Sequence, residues 1–326
     1  MSSQPLMKFM VDDLDDPRLQ GLGMYISLKG AGDAGQAHLQ IHNELFAELR
    51  GELMVSFTAD KLVCYSAQRP RVTYLGDHFA AYQQPVIELY LMTDGMDREF
   101  WYLTGVEPDL LWEEFCAQLL GLVDAFNIGP VASTSSLPMP VPHTRPVGVT
   151  AHGNRKDLIE GISTWAPSAE LPAAFTDLLE IRLADAGRHV VGYSLHTPHY
   201  LAEAEYPPVA VAGLEYVGAA LNLALPTERL REAGRAIESQ LAEQIDSSSE
   251  VRQMVAGFEK RFDAHAQEHS TRSLLLDSDQ QVPDAEEIGA SAETFLANLG
   301  DVGQWFPDPV IEEPEGSSHD PGDPRP

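Results

Sequence analysis

The chain has 326 residues, of which 44% are hydrophobic and 8% aromatic, an ordinary composition for a globular protein of one or two domains. Its charge is less ordinary, because 50 acidic residues against 21 basic ones give a formal net charge of −29. Nucleic acid and anionic membranes both require a basic surface, so neither is expected as a partner. The composition instead favours a soluble protein or a basic partner.

Targeting signals and cysteine use predict a cytoplasmic protein. The first residues, MSSQPLMKFMVDDLDDP, lack the basic, apolar and small-residue order of a signal peptide. No window approaches the ~18 consecutive apolar residues that a membrane span needs. Cys64 and Cys116 lie far apart in apolar contexts and are expected to be reduced thiols.

Strand and helix signals alternate through the first two thirds of the chain. Short apolar runs predict strands, and apolar residues at helical spacing predict the helices between them. The predicted strands are 22–30, 52–57, 71–76, 85–94, 99–105, 129–137, 146–153 and 188–198. The predicted helices are 37–51, 107–127, 169–186 and 207–225. This alternation is typical of a three-layer α/β/α sandwich with a mainly parallel sheet.

Changes in composition divide the chain into four segments. Residues 1–20 are predicted to form an acidic N-terminal arm, and residues 21–226 the α/β/α core. Charged amphipathic stretches predict a helical appendage over 227–306, with a third helix at 284–300. Residues 307–326 hold six prolines and six carboxylates, so this tail is expected to be disordered.

Three polar clusters follow predicted strands, the position where open α/β sheets bind ligands. The first cluster is AGDAG, residues 31–35. Its glycines could expose backbone N–H groups to an anion, but it matches neither a Walker loop nor the GxGxxG pattern. The favoured interpretation is a tight turn in which Asp33 caps the following helix.

The second and third clusters are PHTRPVGVTAHGN, residues 142–154, and HTPHYLAEAEYP, residues 196–207. Together with Asp33, their polar side chains form the candidate ligand or structural cluster: Arg145, Thr150, His152, Asn154, His196, His199, Tyr200 and Glu205. An arginine placed just before a buried strand needs an anionic partner. A bound anion or a structural pair with Asp33 or Glu205 would satisfy Arg145, and the structural pair is favoured.

Two kinds of chemistry were open to these clusters. His196 and His199 could contribute to a zinc site, but Pro198 breaks the helix that normally presents such ligands, so no metal and no cofactor is predicted. A hydroxyl–imidazole pair across adjacent strands is the other option. Its members would come from Ser133, Ser135, Ser136, Thr150 and His152. Since there is no G-x-S-x-G elbow, no catalytic residue is assigned.

At these clusters the sequence resembles the proteasome assembly chaperone 2 family, in its actinobacterial branch. The resemblance covers about residues 20–300 and rests on AGDAG (31–35), QRPRV (68–72), PMPVPHTRPVGVTAHGN (138–154) and the stretch 171–215. It implies an α/β/α sandwich of the phosphorylase/hydrolase-like kind. It also implies protein partners, proteasome subunits among them, because eukaryotic and archaeal members help to assemble the 20S proteasome.

One family feature is missing. Relatives can dock through a C-terminal hydrophobic–Tyr–any-residue tail, whereas this chain ends Pro324-Arg325-Pro326 and has no tyrosine in its last hundred residues. Docking through such a tail is therefore not expected.

The leading prediction is a non-enzymatic, homo-oligomeric interaction protein of the assembly-chaperone type. The alternative is a small-molecule hydrolase or phosphorylase-like enzyme, or a ligand sensor, with a cleft at the carboxyl ends of the strands. That cleft would use Arg145, His152, His196 and His199. Convergence of these side chains on an open pocket would favour the alternative.

Overall fold

The computed structural model of the chain describes residues 5–165, 168 and 170–268. All of them belong to one compact unit that spans Met1–Leu275. The predicted third helix at 284–300 and the predicted tail at 307–326 lie outside the described residues. No helix in the described part of the chain is long and apolar enough to cross a membrane.

A mixed sheet of eight strands forms the centre of the described fold. Its strands are β1 Met7–Phe9, β2 Met24–Lys29, β3 Arg50–Phe57, β6 Ile87–Thr93, β7 Glu99–Val106, β8 Val131–Met139, β9 Val149–Gly153 and β10 Val190–Pro198. Across the sheet they lie in the order β1-β3-β6-β7-β2-β8-β10-β9. Strands β7, β2, β8 and β10 run parallel, and all other neighbouring pairs are antiparallel. The expectation of a mainly parallel sheet was therefore wrong. One cause is the connection at residues 94–98, which is too short for a parallel crossover between β6 and β7.

Helices cover both faces of the sheet, which confirms the α/β/α sandwich. They are α1 Ala37–Glu48, α2 Ala59–Leu62, α3 Trp112–Ala125, α4 Lys156–Ile159, α5 Phe175–Asp185, α6 Pro207–Leu221, α7 Glu228–Ser247 and α8 Ser249–Glu268. Helices α3 and α5 bury Phe115, Phe175 and Leu179 on one face. Helices α1 and α6 bury Ile41 and Leu214 on the other. Apolar stripes at helical spacing thus produce two cores, one on each side of the sheet.

Three strands depart from the predicted scheme. The N-terminal segment, expected only as an acidic arm, contributes β1, which pairs antiparallel with β3 at the sheet edge. The predicted strand 71–76 contains β4, Thr73–Leu75, which pairs with β5, His78–Ala80, in a separate two-stranded hairpin. This hairpin is not part of the main sheet.

Candidate functional site

The first polar cluster is fastened to the third by backbone hydrogen bonds. Gly35, at φ 72°, donates its N–H to the Ala202 carbonyl at 2.7 Å and accepts the Tyr206 N–H at 3.0 Å. A Cβ at this position would lie 3.1 Å from the Tyr206 Cβ, so glycine allows both the left-handed turn and the close approach. Asp33 accepts the N–H of His38, the second residue of α1, at 2.7 Å. The glycine-rich cluster thus works as a turn and a helix cap.

Burial also changes the acidity of this cap. It raises the pKa of Asp33 to about 6, although the His38 N–H and the Lys29 charge act in the opposite direction. The Asp33 carboxyl group therefore lies in a partly desolvated site, where it is hydrogen-bonded to the first turn of α1.

Arg145 forms an ion pair with α8. Its Nε and Nη2 donate to the two carboxylate oxygens of Asp263 at 2.7 and 2.8 Å, and its Nη1 lies 3.4 Å from Glu259 Oε1. The expected structural pair exists, but the partner is neither Asp33 nor Glu205. A two-bond guanidinium–carboxylate contact fixes both distance and orientation, so it ties the loop before β9 to α8.

His199 and Tyr200 also face α8. The His199 ring meets the Phe258 ring edge-on at 5.5 Å between centroids. The Tyr200 hydroxyl accepts the His143 backbone N–H at 3.0 Å and lies 2.8 Å from Nδ1 of the same histidine. Burial lowers the pKa of His143, which favours a neutral ring that accepts the Tyr200 proton. These contacts are those of a packed helix-docking surface.

The partly exposed Thr150 pairs with the buried His196 next to Trp165. The Thr150 hydroxyl donates to the Trp165 carbonyl at 2.7 Å, so its oxygen can accept the His196 Nε2–H at 2.9 Å. This leaves Nδ1 as a buried acceptor without a hydrogen-bond partner. A Cβ at Gly148 would lie 2.7 Å from that nitrogen. Burial lowers the pKa of His196 to about 4, so the ring is neutral near pH 7.

His152 stands in a series of polar groups on the α5 side. Its Nδ1 lies 2.6 Å from Glu180 Oε2, and its Nε2 lies 3.2 Å from the Ser194 hydroxyl. The Ser194 hydroxyl lies 3.0 Å from the Ser135 hydroxyl on the neighbouring strand. Burial disfavours charge on the His152 ring, but the hydrogen bond to Glu180 and the Glu180 charge outweigh it and raise the pKa.

The register of β9 against β10 explains this geometry. His152 stands opposite Gly192, and a Cβ there would lie 2.1 Å from His152 Cε1. The imidazole can therefore lie flat across β10 only because position 192 has no side chain. Ser194 follows two residues later on the same face, within reach of the ring.

The two remaining candidates have other roles. The Asn154 side chain donates to the Arg188 carbonyl at 2.7 Å and accepts the Val190 N–H at 3.0 Å. It therefore braces the turn that leads into β10. Glu205 is exposed in the loop before α6.

The nine candidates do not form one cleft, because Arg145 engages α8 whereas His152 engages α5. His196 and His199 also have different surroundings, and no group of three or more His, Cys, Asp or Glu residues in the described ranges could hold a metal ion. Glu180, Ser194 and Trp165 were missed by sequence reasoning. Alternation along β10 could have indicated Ser194, since it shares a face with His196.

A cavity of about 950 Å³ lies between the loop 143–148 and helices α6, α7 and α8. Tyr206, Val211 and Phe262 supply apolar wall. The lining arginines form ion pairs within the chain: Arg145 with Asp263 and Glu259, Arg231 with Glu215, and Arg235 with Glu228. The cavity thus combines apolar surface with charges that are already compensated.

A second candidate surface is the β4–β5 hairpin with its flanks, residues 71–86, called here the apolar hairpin. Phe79 is 71% exposed, Tyr74 59%, Tyr82 58% and Leu75 53%. The Tyr74 and Phe79 rings pack against each other at 5.2 Å. Large apolar side chains grouped in this way on a projecting element are typical of interaction surfaces.

Comparison with known proteins identifies the family. The PAC2 family model matches residues 27–245. The chain belongs to the PAC2 family. This assignment confirms the family predicted from the sequence motifs, and the PAC2 match includes all three polar clusters.

Solved structures support the assignment of this PAC2 protein. A Mycobacterium tuberculosis protein of unknown function is 35% identical, with a TM-score of 0.76 over 81% of this chain and 93% of its own. A Corynebacterium glutamicum protein of unknown function is 29% identical, with a TM-score of 0.75 over 81% and 98%. A M. tuberculosis proteasome-assembly chaperone homologue shares the fold at 24% identity, with a TM-score of 0.65 over 72% and 100%. Among curated proteins, no sequence matches the chain.

Proposed function

We propose that this PAC2 protein is a cytoplasmic interaction protein of the assembly-chaperone type, and that it self-associates through the apolar hairpin. The observation that carries the proposal is the group of exposed aromatic and aliphatic side chains on β4 and β5, led by Phe79 and Tyr74. A two-stranded hairpin is only marginally stable in water by itself. A partner that covers these side chains would remove the apolar area from water and stabilise the hairpin.

The difference in charge between the hairpin segment and the rest of the chain favours a second copy of the chain as the partner. Residues 65–86 contain two arginines, Arg69 and Arg71, and one acidic residue, Asp77, in a chain with a net charge of −29. The segment 65–86, which contains the apolar hairpin, is thus slightly basic, while the surface of another copy is strongly acidic. Complementary potentials of this kind orient association and suppress contact between like surfaces.

The assembly-chaperone class is suggested by the structurally similar proteins. One structural relative is a mycobacterial proteasome-assembly chaperone homologue, and another is an archaeal proteasome activator from Pyrococcus furiosus with a TM-score of 0.52. Assembly factors act by holding other proteins in place, which requires exposed contact surfaces rather than a catalytic cleft. Further partners would then be proteins, and proteasome subunits are the class these relatives suggest.

The mass of the full chain in solution tests the proposal. Multi-angle light scattering is expected to give a multiple of the 35.7 kDa monomer mass for the wild type. Phe79→Ser combined with Tyr74→Ser is expected to give monomers. Met96→Ser is a matched control, because Met96 is 69% exposed but lies in the β6–β7 turn, and it should leave the mass unchanged. A monomeric wild type, or an unchanged mass in the double variant, would refute self-association through this surface.

A further inference from the structure

A carboxylate, an imidazole and a hydroxyl stand in series on the α5 side of the sheet. Glu180 Oε2 lies 2.6 Å from His152 Nδ1, and His152 Nε2 lies 3.2 Å from Ser194 Oγ. The contact to Glu180 places the ring proton on Nδ1, so Nε2 presents its lone pair to the hydroxyl. General-base activation of a serine requires this order of groups. The hydrogen bonds between such groups are often long before the substrate binds.

The series is accessible from solvent. The His152 side chain is 35% exposed and the Glu180 side chain 19%. Ser194 and Ser135 are both partly exposed. A fully buried network would have no path for a substrate, whereas the three residues of this series are each partly exposed.

We propose that Ser194, His152 and Glu180 form a hydrolytic site for small carboxylic esters. The proposal is independent of self-association through the apolar hairpin. Ser194 is its nucleophile and His152 its general base, while Glu180 is a positioning residue that orients the ring. The pattern is recognised from geometry, since the three residues come from β10, β9 and α5.

The reaction has two balanced halves. Ser194 Oγ attacks the ester carbonyl carbon as its proton moves to His152 Nε2, and the carbonyl electron pair moves onto oxygen. When the carbonyl re-forms, the bond to the alcohol oxygen breaks, and that oxygen takes the proton from Nε2. Water then attacks the Ser194 ester in the same way, giving its proton to Nε2. Collapse releases the carboxylic acid, and the proton returns to Ser194 Oγ.

The Ser135 hydroxyl supports the first step. It lies 3.0 Å from Ser194 Oγ. A serine hydroxyl this close to the nucleophile could donate a hydrogen bond to the oxyanion that develops on the substrate.

The acidic groups around His152 favour an uncharged or cationic ester. Asp177 adds its negative charge to that of Glu180 near His152, which disfavours an anionic ester.

The pH profile distinguishes this role from a structural one. His152 can act as a base only when neutral, and Glu180 and Asp177, the acidic groups that face it from α5, both raise its pKa. The rate should therefore rise with pH, with a midpoint above the ordinary value of about 6.5 for histidine. Glu180→Gln should lower the rate and shift this midpoint to lower pH. A residue that only stabilises the fold would not move the midpoint.

The test uses the full chain with p-nitrophenyl acetate as substrate and a fluorophosphonate as covalent probe, which loses fluoride when a serine attacks it. Mass mapping is expected to find one adduct, on Ser194. Ser194→Ala should abolish the adduct and reduce hydrolysis by about 100-fold or more, while its melting temperature shows that it folds. Ser66→Ala, an exposed serine in the turn after Cys64, is the control and should retain both signals. Hydrolysis equal in wild type and Ser194→Ala, no adduct, or an adduct elsewhere would each overturn the proposal.

Discussion

Protonation of His196 is expected to destabilise the protein in mild acid. The ring is 2% exposed, and burial lowers its pKa from 6.5 to about 4. A histidine whose pKa is lower in the folded state than in the unfolded state makes its full contribution to stability at pH values above the unfolded-state pKa. This contribution is lost as the pH falls through the folded-state pKa. The window is therefore pH 6.5 to pH 4. Since one pKa unit corresponds to about 1.4 kcal/mol, the contribution lost is roughly 3 kcal/mol.

Urea unfolding of the wild type and His196→Gln at a series of pH values isolates this contribution from that of the many carboxylates. The glutamine amide can still donate to Thr150 Oγ1, as His196 Nε2 does at 2.9 Å, but it does not titrate. The difference in free energy of unfolding between the two proteins should shrink or reverse by roughly 3 kcal/mol between pH 7 and pH 4. Parallel pH dependences would show that the ring is not held neutral, and would refute this account of the Thr150–His196 pair.

Three further substitutions probe the polar clusters. Gly35→Ala should lower the free energy of unfolding by about 1–3 kcal/mol in urea, because both φ 72° and the close neighbours oppose a side chain. The control is Gly21→Ala, at φ 74° with nothing within 4 Å, which should lower it by only about 1 kcal/mol. Equal losses in the two variants would contradict the packing argument. Gly192→Ala should displace the His152 ring and bring its pKa back toward the ordinary value in an NMR titration, and an unchanged titration would be the contrary result. Arg145→Lys should speed amide exchange in α8, since lysine cannot form the two-bond pair; unchanged exchange would show that the pair does not anchor the helix.

Local patterns in the sequence predicted the elements but not all of their pairings. The alternation of apolar runs and amphipathic segments was enough for the α/β/α sandwich, because each pattern depends only on neighbouring residues. The parallel sheet was wrong since strand direction depends on connections. The Asp94-Gly95 pair after β6 is a hairpin signal that could have indicated the antiparallel β6–β7 pair, but it was not used.

Contacts between residues that are far apart in the sequence could not be predicted from local sequence patterns. Arg145 pairs with Asp263, which is 118 residues away on a helix whose docking no motif encodes. The His152–Ser194 contact depends on the register of β9 against β10. Period-two alternation can tell which face each side chain occupies, but it cannot tell which residues stand opposite. The candidate site was therefore predicted as a set of residues, whereas its division between α5 and α8 was not.

The most direct test of self-association through the apolar hairpin is amide hydrogen exchange of residues 73–80 over a dilution series of the full chain. Exchange in this segment should slow as the protein concentration rises, because a second copy covers the hairpin and stabilises its hydrogen bonds. Residues 94–98 in the β6–β7 turn serve as an internal reference that should not change. Exchange of the hairpin that is equally fast at every concentration would contradict the proposal.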